Sequence, residues 1–334
     1  MTGRVINQLG WIPYLNLLPF YSELSQLVGD SIKFISGHPS TVNRWLTEGV
    51  VDLAPASSIA MLRDPKLKMA VPIGIASEGS VQSVYIGLHP EHGDFYDFVK
   101  FRQQTLSPMF REIVQTFDTE ASVQKLRRFA SESLSEAQVP NLRLTPASAA
   151  SAALTEVLLY LWCGDECAAQ TISTARQSEA LGECKQMKLA RPMELVIGDE
   201  ALKRRHEFWQ VLDLGQVWYQ LTGLPFVFGL WQTAHEALPE ELLDIVMRAA
   251  TMSEKKMRTT PEIYFPVDFP VALDGEPVDL SSYWGVIQYG LTRRHLKSLS
   301  IYYRLVADTT RNDSHDLVRG MTFHNFMEQM PVTI

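Results

Sequence analysis

Four short polar clusters place hydroxyls and a carboxamide where a chain can hold an anion. They are Pro13-Tyr14-Leu15-Asn16, Pro55-Ala56-Ser57-Ser58, Ser77-Glu78-Gly79-Ser80 and Ser148-Ala149-Ala150-Ser151. Each follows a predicted strand and opens a predicted helix. Helix starts carry N–H groups with no partner inside the helix, and adjacent hydroxyls add to them, which suits a carboxylate. In open α/β sheets the carboxyl ends of the strands line the ligand crevice. Taken singly, each cluster also reads as an ordinary N-cap or turn.

Other residues have weaker chemical claims. His38, in Gly-His-Pro, reads either as a cleft acid or as a turn residue, and Glu78 either as a proton donor or as an exposed turn acid. Asp199 follows a buried strand and is expected to cap its own helix. Phe226, Phe228 and Trp231 read as core, with room for one ring to line a cleft. Cys163, Cys167 and Cys184 are an odd set with no His at finger-like spacing, so reduced structural thiols are expected and no metal.

Composition narrows the partners. The chain has 334 residues, 46% hydrophobic and 20% charged, which predicts a globular protein of two domains. A net charge of −8 disfavours nucleic acid, so an anionic ligand must be met by local donors rather than by an overall field. The start, MTGRVINQLGWIPYLN, lacks a basic region followed by a long apolar core, so no secretion signal is expected. No run approaches the ~18 apolar residues of a membrane span. These points predict a cytoplasmic protein that has neither a membrane nor a nucleic acid as partner; oligomeric state is not legible.

The elements that must position the clusters alternate between strand and helix. Arg4–Ile12, Ser31–Ile35, Val50–Ala54 and Lys68–Ile75 read as strands. Helices are predicted near Pro19–Val28, from Pro39 through Val42, Trp45 and Leu46, and at Ile59–Arg63, the last capped by Ser57 or Ser58. This alternation predicts an α/β fold with a mainly parallel sheet. From about Pro90 to Pro140 the chain turns charged and helical, with apolar residues at irregular spacing, and reads as two or three surface helices. Further on, Pro146–Trp162 reads as a buried helix, Glu194–Ile197 and Pro225–Trp231 as strands, and Pro239–Lys255 as an amphipathic helix. Ser281–Asp308 reads as one or two covering helices, and Asn312–Ile334 as a tail.

Read together, several segments resemble the chorismate dehydratase family of menaquinone biosynthesis (futalosine pathway). They are IPYLNLLPF, GHPSTVNRWLTEGVVDLAPASS, IASEGSVQSV, LVIGDEAL and DLGQVWYQLTGLPFVFGLW, in the family's order across most of positions 5 to 231. The resemblance implies a two-lobed periplasmic-binding-protein-like (type II) fold with two hinge-crossing strands, Val81–Leu88 and Pro225–Trp231, and a cleft between lobes. The implied organisation is 1–84 as the first part of lobe 1 and 85–224 as lobe 2, with a helical insertion at about 90–140. Residues 225–311 return to lobe 1 and add covering helices, and 312–334 form the tail.

The implied function is a cofactor-independent lyase that removes water from chorismate to give 3-[(1-carboxyvinyl)oxy]benzoate. No Asp, Glu or His stands as an obvious base in YLN, ASS or SVQSV. The expected arrangement therefore has the substrate's enolpyruvyl carboxylate take the proton while the Asn16 amide orients it. An Asx-turn that merely shapes the loop is the alternative for Asn16. Ser57, Ser58 and Ser83 are the carboxylate-binding candidates, and Tyr14, Ser77, Gly79, Ser148 and Ser151 complete the substrate-binding set. The family's Ser-Arg-Thr-Ser motif is represented here by Ser148, Ala149, Ala150 and Ser151. Either a basic residue elsewhere, such as Arg143 or one from 90–140, replaces the lost cation, or the ligand differs. The alternatives are a non-catalytic cytoplasmic binding protein, or a related enzyme, for another aromatic or enolpyruvyl carboxylate.

Overall fold

The computed structural model describes residues 8–116, 125, 128, 139–145, 148–181, 191–268, 270–272 and 275–309. The predicted tail, Cys184 and most of 117–138 lie outside these residues.

Two open sheets form the frame, and the chain visits each in separate segments. The first lobe begins with β1 (Gln8–Trp11) parallel to β2 (Lys33–Ser36), and Leu9 bridges Leu53 just before β3 (Ala54–Ser57). Next to it lies a four-stranded sheet in the order β10-β4-β9-β3, with β4 at Lys68–Ser77, β9 at Phe226–Thr233 and β10 at Ile287–Gly290. The second lobe has the order β6-β7-β5-β8, from Leu142–Arg143, Met193–Ile197, Val84–Leu88 and Gln210–Asp213. Mixed α/β layers of this kind, with a two-stranded and a four-stranded sheet in the first lobe and a four-stranded sheet in the second, make a two-lobed α/β protein.

The expectation of a mainly parallel sheet fails. Among the described ladders only β1–β2 and β6–β7 are parallel. The reason is the crossing. β5 and β9 are the first strands after each passage between lobes, and both run against their neighbours: β5 opposes β7 and β8, and β9 opposes β3 and β4. The passage itself occupies residues 78–83, and Val84–Leu88 already belongs to the second sheet. Asp213 holds that passage. Its carboxylate accepts Ser80 Oγ at 2.7 Å and the N–H of Gln82 at 2.8 Å while capping the following helix through Gln216 N–H at 3.0 Å.

Helices cover both sheets. In the first lobe α1 (Leu18–Val28) starts with Pro19 in its first turn, where a missing N–H costs nothing. It is followed by α2 (Pro39–Thr47) and the single turn α3 (Ala60–Arg63). In the second lobe α4 (Gly93–Thr116) precedes α5 (Ala149–Cys163), α6 (Asp165–Leu181), α7 (Gly198–Arg204) and α8 (Leu214–Thr222). The C-terminal part adds α9 (Glu240–Thr259), α10 (Leu280–Val286) and α11 (Arg293–Thr309). α5 is buried on nearly all sides, as its mostly apolar sequence requires.

Four local expectations are corrected. Pro55, Ala56 and Ser57 are not a turn but strand β3, paired with Trp231, Leu230 and Gly229, so the third strand starts later than its apolar run suggests. Neither Ser57 nor Ser58 caps α3, whose N-cap is Ile59 without a side-chain bond. The predicted C-terminal helix pair encloses a strand, β10, which adds an edge to β4. Finally, α4 is not a surface helix: Phe95, Val99, Leu106 and Phe110 form a regular buried stripe. Arg102 and Gln103 sit within that stripe and disguise it in the sequence. Arg102 is buried and donates to the carbonyls of Leu161 and Trp162 at 2.9 and 3.0 Å, closing the end of α5.

Candidate functional site

The site is built on a short 3-10 turn, Leu15–Leu17, between β1 and α1. Pro13 and Tyr14 end the strand, and Pro19 opens the helix, so the turn has little conformational choice. Its backbone is held from three sides. Leu15 N–H donates to Asp199 Oδ1 at 3.0 Å, Trp284 Nε1 donates to the Leu15 carbonyl at 2.8 Å, and the Tyr289 hydroxyl donates to the Asn16 carbonyl at 2.6 Å. The Asn16 side chain is left without a protein partner, and its Oδ1 is buried. Such an acceptor is costly unless a ligand completes it.

Asn16 opens into a cavity that encloses about 770 Å³ of space, part of it continuous with solvent. Four polar groups line it from the first lobe: Asn16, Ser40, Asn43 and Ser57, beside the Tyr14 ring. The crossing segment and the second lobe contribute Ser83, Ser148 and Ser151. Ile12, Ile75, Val84, Ile197 and Phe228 supply apolar walls. Among the described residues, no ionised side chain lines it. The donors available to an anion are therefore hydroxyls, carboxamides and the start of α5.

Each hydroxyl is set by its element. Ser57 ends β3, with its N–H on Asn43 Oδ1 at 3.2 Å and its carbonyl accepting Gln232 Nε2 at 2.9 Å. Its Oγ accepts Ala150 N–H at 2.9 Å, so it meets the first turn of α5. Ser148 caps α5 by accepting Ser151 N–H at 3.2 Å, and the two hydroxyls lie 2.9 Å apart. Ser83 Oγ accepts the hydroxyl of the buried Tyr283 at 3.0 Å. Burial raises the Tyr14 phenol above its ordinary value, and the Asp199 charge adds to the effect. Burial also raises the Asp199 carboxyl, against the opposing Leu15 N–H bond and Lys203.

The predicted clusters separate under this geometry. Tyr14, Asn16, Ser57, Ser83, Ser148 and Ser151 line one cavity. Ser58, Ser77 and Gly79 do not. Ser58 follows Ser57 and turns into the core, fully buried, with an unpartnered Oγ and with its carbonyl bonded by the Tyr303 hydroxyl. Ser77 Oγ donates to the Gly79 carbonyl at 3.2 Å, and Gly79 takes φ +97°, so this pair shapes the crossing. The third cluster therefore opens no helix.

Asp199 does not cap its own helix but bonds across to Leu15. Glu78 pairs with Arg294 at 2.8 Å, exposed His38 bonds Ser40 Oγ at 3.0 Å, and Arg143 pairs with Glu194 at 3.3 Å. None of these four lines the cavity. Phe228 lines it, whereas Phe226 and Trp231 pack in the core. Among the described cysteines, Cys163 is buried and its thiol is pushed up, chiefly by burial.

Sequence reasoning missed Asn43 and Ser40. Their signal was helical spacing: both follow Pro39 within one turn, so they share the face of α2 that looks into the cavity. Tyr283 was missed because nothing local ties residue 283 to residue 83.

Among the described residues no helix is long and apolar enough to cross a membrane. Among curated proteins nothing matches the chain. Solved structures share its architecture at low identity. The periplasmic aliphatic sulphonate binding protein SsuA from Escherichia coli is 10% identical over 97% of this chain and 91% of its own, with a TM-score of 0.52. An ABC transporter structure from Parabacteroides distasonis is 12% identical over 99% of this chain and 100% of its own, with a TM-score of 0.51. The CA3427 gene product of Candida albicans, described as exhibiting the generic periplasmic binding protein structural fold, is 10% identical over 98% and 95%, with a TM-score of 0.50. The fold is thus periplasmic-binding-protein-like. The family described as Menaquinone biosynthesis matches residues 7–92 and 127–308, leaving out 93–126, which hold α4. With most of its length matched, cavity residues included, the chain belongs to the menaquinone-biosynthesis family.

Proposed function

We propose that the protein is a cofactor-independent lyase that dehydrates chorismate to 3-[(1-carboxyvinyl)oxy]benzoate. The observation that carries this reading is the Asn16 carboxamide, unpartnered in a cavity whose other polar groups are neutral. The reaction is redox-neutral. The C–H bond beside the ether breaks, and its electron pair enters the ring system conjugated with the ring carboxylate. The neighbouring C–O bond then breaks as the ring becomes aromatic, and the proton and hydroxide leave as water. The substrate's enolpyruvyl carboxylate takes the proton, and Asn16 sets its angle. Ser57 and Ser83, with Tyr14, Ser148, Ser151 and the α5 start, hold the carboxylates.

In this reading residues 1–84 and 225–311 form one lobe and 85–224 the other. Closure shuts water out of the cleft. The protein works in the cytoplasm, on the futalosine route to menaquinone. The absence of a cationic side chain from the described lining favours a second reading, a non-catalytic binding protein for a small aromatic or enolpyruvyl carboxylate.

One experiment separates the two. The protein and its Asn16→Ala variant are incubated with chorismate, following ultraviolet absorbance and mass. The lyase reading expects loss of one water with the wild type and none with N16A, whose melting temperature is undiminished because the side chain makes no protein bond. A wild type that leaves chorismate intact, yet melts higher in its presence, supports the binding reading and overturns the first.

A further inference from the structure

Asp199 comes from the second lobe and reaches the turn that carries Asn16 in the first. It sits at the start of α7, directly after β7, and its Oδ1 accepts Leu15 N–H at 3.0 Å. Gly198, at φ +64°, lies against the Tyr14 ring: a Cβ there would stand 3.2 Å from Tyr14 Cε2. The Gly198 N–H donates to the Ser83 carbonyl at 2.7 Å, tying the same corner to the crossing segment. The other two supports of the turn, Trp284 and Tyr289, act on carbonyls and come from the segment that follows β9. Asp199 alone among the three holds an N–H, and it does so from across the cleft.

We infer that Asp199 is a positioning residue that couples closure of the lobes to the placement of Asn16. When the lobes part, Leu15 N–H loses its acceptor and the turn loses its support from the second lobe. When they close, the bond forms and the Asn16 carboxamide is presented to the ligand at a fixed angle. The inference rests on the reading of Asn16 as the group that orients the substrate. The geometric coupling can be tested apart from it.

The test uses Asp199→Ala, which removes the acceptor, and Asp199→Asn, which keeps one oxygen in place. Amide hydrogen exchange at Leu15 is followed in the full-length protein, and turnover is followed with chorismate. D199A is expected to lose Leu15 protection and to lower kcat about ten- to a hundredfold with KM nearly unchanged, the scale of a buried N–H left without its acceptor. D199N is expected to keep both. Unchanged exchange at Leu15 in D199A, or equal loss in the two variants, overturns the inference. If the wild type does not act on chorismate, the exchange comparison still decides the coupling, so the two failures are distinct.

Discussion

The Ser57 hydroxyl accepts the backbone N–H of Ala150 at 2.9 Å, joining the last residue of a first-lobe strand to the first turn of a helix whose cap, Ser148, lines the same cavity. A side chain and a helix start thus satisfy each other across the cleft. Ser57→Ala removes the acceptor and should cost about 1 kcal/mol of stability, the usual value of a helix-start hydroxyl. A urea unfolding midpoint equal to the wild type's would show that the bond contributes nothing.

Glu23 is a buried acid of the first lobe, 1% exposed. It accepts Lys256 Nζ at 2.8 and 2.9 Å and the Tyr264 hydroxyl at 2.6 Å, tying α1 to α9. Burial and the Glu23 charge push the Tyr264 phenol far above its ordinary value, so it stays a donor. Lys256→Met strands the carboxylate and should cost about 3 kcal/mol, the low end for a broken buried pair because the ammonium is partly in water. Adding Glu23→Leu should return much of that loss. Denaturant titration of the single and double variants measures both, and additive losses would refute the pairing.

Stability should fall on the acid side through His295. This imidazole is 5% exposed, bonded to Thr292 and Gln288, and burial lowers its pKa to about 4, with Arg294 helping and Glu78 opposing. The folded state therefore prefers the neutral ring. Above the ordinary value near 6.5 the group penalises nothing. Between 6.5 and 4 the unfolded chain takes up a proton that the folded one refuses, which costs up to about 3 kcal/mol. His92, also lowered by burial, adds in the same direction. His295→Gln should flatten the curve of unfolding free energy over that window, and parallel curves would refute the assignment.

Local sequence was enough for the elements with strong periodicity or punctuation. Pro19 and Pro39 mark helix starts, the mostly apolar stretch 149–163, broken only by Ser151, Thr155 and Glu156, marks a buried helix, and the amphipathic pattern of 240–259 marks another. The prolines on either side of the turn in IPYLNLLPF mark it locally, whereas the role of Asn16 comes from the family resemblance. Such signals survive because they depend on neighbours within one or two turns.

What the tertiary structure alone decided is which clusters meet. Ser57 and Ser58 are adjacent in sequence, yet the first ends strand β3 and lines the cavity, while the second begins the turn before α3 and is buried in the core. The direction of β5 and β9 follows from the chain crossing twice between lobes, a long-range event that no local pattern encodes. The partner of Asp199 was misread for the same reason. An acid at a helix start has a ready local use, and only the packing of α7 against the Leu15–Leu17 turn offered it the amide of Leu15 instead.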